Sequence, residues 1–121
     1  MIGMSVLEHH EEWMHLPITG LSAEEIEANR QRIIAIQREL PVCIERRYEL
    51  QSKVNAAEDA LVHAEIELKA AILSGATDID DKIRAKDDIA ASVNQLLPLL
   101  HAAFADEAHL RELRDRLQQI R

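Results

Sequence analysis

The chain has 121 residues, with 14 Lys and Arg against 22 Asp and Glu and a formal net charge of −8. That is one domain's worth of chain, and its acidic balance argues against binding nucleic acid through phosphates, which needs clustered cations. Aromatic residues make up 2% and Gly and Pro number three each, so an aromatic-rich globular core and long loops are both excluded. Ala, Leu, Ile, Glu, Arg and Gln dominate, the composition of long helices and coiled coils.

Residues 1–20 read as an irregular lead segment. They turn acidic within a few positions and do not form a signal peptide. No stretch reaches the ~20 apolar residues of a membrane span, so a cytoplasmic location is expected and no membrane partner. The lead carries a dense run of possible ligands, His9, His10, Glu11, Glu12 and His15. The zinc-protease pattern needs two His four apart around a Glu, and His10 and His15 do not meet it. Glu12 with His15, and Asp106 with His109, do form Glu-x-x-His-like pairs of the kind used in carboxylate-bridged metal bundles.

A helix is predicted over 22–73. Ser22 is placed to cap it, Glu25 completes a capping box, and Leu21 and Ile26 occupy the hydrophobic-staple positions. A seven-residue repeat then runs without a break. Its a positions are Ile26, Ile33, Leu40, Arg47, Val54, Leu61 and Leu68, and its d positions Asn29, Ile36, Cys43, Leu50, Ala57, Ala64 and Ala71. Twelve of these fourteen sites are apolar and charged residues flank them, as a coiled-coil seam requires. Pro41 faces away from the seam, which predicts a bend rather than a break. Cys43 is the one cysteine, so no internal disulfide framework exists, and within the apolar pattern it reads as a packed thiol.

The turn is placed at 74–78, with Gly75 in the left-handed conformation that ends a helix. Thr77 or Asp78 can cap the next helix, expected over 78–120, with Asp80 and Asp81 in its first turn. Its a positions are Lys82, Ile89, Leu96, Ala103, Leu110 and Leu117, and its d positions Ala85, Ser92, Leu99, Asp106, Leu113 and Ile120. Pro98 again falls on the outside. The fold expected is therefore all-α: a lead segment over 1–20 packed on a long antiparallel helical hairpin, a coiled coil, over 21–121.

A tight turn predicts layers whose partner numbers sum to about 153. Leu68 then faces Ala85, Ala57 faces Leu96, Leu50 faces Ala103 and Ile36 faces Leu117, so that large residues oppose small ones in most of the first layers. The two polar intruders, Arg47 and Asp106, fall opposite each other as a structural charge pair, a device better suited to fixing register than to adding stability.

Between Val93 and Phe104 the apolar face widens, and a hairpin alone covers only one stripe. Val93, Leu97, Leu100 and Phe104 are thus the expected partner-binding surface. The lead segment, a protein partner or a second copy forming a four-helix bundle would cover it.

No catalytic constellation or Gly-rich phosphate cradle is present in the sequence, and no cofactor is implied. Asp106-Glu107-Ala108-His109 spells a helicase box but lacks the phosphate loop and strand that would carry it. The function expected is a non-enzymatic helical interaction module: an adaptor, assembly chaperone or small inhibitor, of a kind common among phage and mobile-element accessory proteins. Two alternatives come from other classes. Asp78, Asp80 and Asp81 at a hairpin tip resemble, in outline, the acidic tips of transcription factors that enter the RNA polymerase secondary channel, where carboxylates act on the active-site Mg²⁺. Those factors carry a further globular domain with no counterpart in these residues. The other alternative is a metal-binding bundle using Glu12, His15, Asp106 and His109.

Overall fold

The structure, a computed structural model, describes residues 5–119. A single 3-10 turn spans Val6–His9, and three α-helices follow: α1 at His10–Met14, α2 at Ala23–Ser74 and α3 at Ile79–Gln118. The long helices α2 and α3 pack against each other as a hairpin, with the short N-terminal segment beside them. Pro41 and Pro98 both lie inside continuous helix, so neither breaks its element. The first four residues of the lead and the last two of the chain, and with them the expected d position Ile120, fall outside the described residues.

Local chemistry sets the helix ends. Ser22 and Glu25 exchange bonds: the Glu25 N–H donates to Ser22 Oγ and the Ser22 N–H to Glu25 Oε1, each at 3.1 Å. Two of the free amides at the α2 start are satisfied by this box. At the other end Gly75 has φ 69°. The Ala76 N–H reaches the Ala71 carbonyl at 3.0 Å and the Gly75 N–H reaches Ile72 at 3.3 Å, the paired closure of a Schellman motif. The Lys82 N–H donates to the Asp78 carbonyl at 3.1 Å, which opens α3.

The chain forms two compact units, Met1–Arg46 with Ala103–Arg121, and Arg47–Ala102. In the first, Val6 and Trp13 from the N-terminal segment pack with Ile36 and Leu40 of α2 and Leu110, Leu113 and Leu117 of α3. Glu39 anchors the segment: the Ser5 hydroxyl and the Val6 N–H both donate to its Oε1 at 3.2 Å. Ser5 Oγ in turn accepts from the Leu7 N–H at 3.3 Å, capping the 3-10 turn. Arg116 Nη2 donates to the Leu16 carbonyl at 2.8 Å and holds the segment's far end to α3.

In the second unit the buried residues are Leu50, Val54 and Ala71 on α2 and Val93 and Leu100 on α3. Along α2 the burial follows the expected seam, since Ile26 alone among its a and d positions is exposed. On α3 it does not. Within the second unit the d positions Ala85, Ser92 and Leu99 are exposed, while Lys86, Val93 and Leu100 at the following position turn inward. The contact stripe is rotated by roughly 50°, half of one residue's 100° step. Area contributes at one step, since Val93 offers the seam more apolar surface than Ser92, whereas Leu100 and Leu99 are equal in size.

The register differs from the expected one as well. Asn29 bonds to Leu117 and Cys43 to Ala103, pairs whose numbers total 146, and Lys82 pairs with Glu67, a total of 149. In the first unit the expected total of about 153 is therefore too high, and Asn29 has its opposite number in Leu117. Asp106 is half-buried and lines a groove with Arg38, Cys43, Arg46 and Leu110. Arg47 is half-buried, with its guanidinium 4.7 Å from the centre of the Tyr48 ring.

Candidate functional site

The expected partner surface divides in two. Val93 and Leu100 are 8% and 5% exposed and belong to the packing between α2 and α3 in the second unit. Leu97 is half-buried and only Phe104 is exposed. Val93 and Leu100 as a contact surface are thereby corrected: the face widens in sequence because it contains the seam itself.

Exposed apolar residues occur on both long helices, and an aligned run of them lies on the far side of α2. Val62, Ile66 and Leu73 are 53%, 60% and 80% exposed. With Asp59 and Lys69 they follow one another at alternating steps of three and four residues, so they form one straight stripe on the helix. Tyr48 falls on the same face about three turns upstream of Asp59 and is also exposed. This second repeat occupies the b and f positions of the heptad, two faces away from the seam. Its spacing in the sequence is as regular as that of the seam.

The three acidic tip residues have distinct surroundings. Asp78 contributes the carbonyl that opens α3, and its carboxylate lies 3.7 Å from the Lys82 ammonium. Lys82 also approaches Glu67, at 3.8 Å. Asp80 and Asp81 are exposed in the first helical turn, where the helix dipole favours carboxylates.

The N-terminal histidines are absorbed locally. His9 stacks on Trp13 at 5.1 Å and faces Glu12 at 3.3 Å. Arg32 covers Trp13 at 5.8 Å. His15 Nδ1 donates to the Glu11 carbonyl at 2.7 Å. His10 contacts the His109 ring at 4.6 Å and lies 3.5 Å from Glu112. Glu12, His15, Asp106 and His109 do not come together. Among the described residues no three His, Cys, Asp or Glu side chains converge on a point that could hold a metal ion, and no helix is long and apolar enough to cross a membrane.

No family model, curated protein or solved structure matches the chain.

Proposed function

We propose that this protein is a non-enzymatic docking module that binds a protein partner through the outer face of α2 in its second unit. The observation that carries the reading is the exposed stripe Val62, Ile66 and Leu73. Single exposed apolar residues are ordinary, but large ones aligned along a helix mark a contact surface. An isolated helix pair leaves such a face open, and a helix-in-helix contact reads anchors at this 3-4 spacing. The adaptor, chaperone and inhibitor roles expected from the sequence are all ways of using such a face.

The test is recovery of partners from the native host, with tagged wild-type chain and tagged Ile66→Glu compared by mass spectrometry. A protein recovered in stoichiometric amount with the wild type and lost with Ile66→Glu supports the reading, provided the variant keeps its helical circular dichroism. Partners retained by Ile66→Glu place the docking elsewhere.

A further inference from the structure

The stripe on α2 carries its own complement. Taken in order, it presents Asp59, Val62, Ile66, Lys69 and Leu73. All five are exposed, and their alternating spacing is that of a coiled-coil seam. Two arrangements of a second copy can be compared by what each would set against these side chains.

A second copy aligned in parallel places Asp59 against Asp59 and Lys69 against Lys69, like charge on like charge at seam positions. An antiparallel copy does the reverse. In one register the two-fold axis crosses α2 level with Ala64. Asp59 then faces Lys69 of the other copy, Val62 faces Ile66, and each layer occurs twice. Sliding by a heptad in either direction breaks this sorting: one slide sets Ile66 against Lys69, the other sets Asp59 against Val62. Of these registers only this one pairs Val62 with Ile66 and Asp59 with Lys69; it sets Leu73 against Asn55. Isologous pairing of one patch with itself is also the commonest way for soluble chains to associate.

We infer that α2 pairs antiparallel with α2 of a second copy of this chain, through Val62 and Ile66 at the centre and Asp59 with Lys69 at each end. This rests on the docking reading and names its partner. Charge at the seam positions sets direction and register, as single polar residues do in coiled coils. A stripe on one helix is small beside the ~1,200–2,000 Å² of a standard interface, so the dimer dissociates on the order of micromolar concentration.

The experiment is sedimentation equilibrium of the full chain over a wide concentration range, with charge variants beside it. The wild type is expected to dimerise. Asp59→Lys alone and Lys69→Asp alone should each weaken the dimer about tenfold, and the double variant should return to within about threefold of wild type. Helical circular dichroism of every variant checks the fold. In a Cys43→Ala background, Val62→Cys mixed with Ile66→Cys should oxidise to the mixed disulfide in preference to either like pair. A chain that stays monomeric to about 100 µM overturns the inference. So does a dimer indifferent to both charges, or one that cross-links like with like. The docking reading fails on a different result: a host partner that stays bound to Ile66→Glu.

Discussion

The side-chain amide of Asn29 donates to the main-chain carbonyl of Leu117 at 3.0 Å, across 88 residues of sequence. Asn29 is 4% exposed and sits at a d position of the α2 seam. Leu117 lies in the last turn of α3, where carbonyls have no partner within their own helix. One polar side chain therefore ends a helix and fixes how far α3 runs along α2 in the first unit. Replacing Asn29 by Ala should strip that carbonyl of its donor and lower stability by about 1–2 kcal/mol. Urea unfolding followed by circular dichroism measures this as a lower midpoint. Asn29→Leu should recover part of the loss through apolar burial, but without a donor it cannot specify the register.

Glu39 predicts a second, more local effect. Its carboxylate collects the Ser5 hydroxyl and the Val6 amide, and both are charge-assisted bonds. Trp13, the one tryptophan of the chain, is buried in the same cluster and reports on the segment. Glu39→Ala should release the segment at a cost of about 1–2 kcal/mol. The expected readout is red-shifted Trp13 emission and easier acrylamide quenching, with little change in helical content. Glu39→Gln keeps an acceptor oxygen and should fall between the two.

The turn offers a backbone test free of packing. A Cβ added at Gly75 would meet nothing within 4 Å, so the whole cost of Gly75→Ala is the positive φ. That cost is about 1–2 kcal/mol for a residue with a Cβ in the left-handed region. Gly75→Asn should lose less, since Asn tolerates that conformation. Thermal melts of the three chains should rank Gly, then Asn, then Ala.

Much of this fold was legible because it is written in local rules. The capping box at Ser22 and Glu25, the glycine turn and the α2 seam each depend on residues within a few positions of one another. The α3 seam was misplaced because two phases compete there: Ser92 and Leu99 continue one repeat, Val93 and Leu100 the next. Only the match to α2 decides between them, and that is a tertiary quantity. The Glu39 anchor joins residues more than thirty positions apart, with no periodicity to announce it. The α2 stripe at Val62, Ile66 and Leu73 was readable in principle, since its spacing is as regular as the seam's. What separates the two stripes is burial, which sequence does not state.

That competition of phases yields the sharpest prediction, on two adjacent leucines. The heptad reading puts Leu99 in the seam and Leu100 beside it. The structure does the opposite, with Leu99 at 47% exposure and Leu100 at 5%. Removing a buried leucine side chain costs about 2–5 kcal/mol, through lost transfer energy and the cavity left behind. An exposed one forfeits little of either, so Leu99→Ala should change stability by less than about 1 kcal/mol. Both residues lie in the same helical turn, next to Pro98, so helix propensity and local backbone effects nearly cancel in the comparison. The two alanine variants, unfolded side by side in urea, therefore report the seam phase directly. A larger loss at Leu99 than at Leu100 would restore the sequence register and return Val93 and Leu100 to the surface.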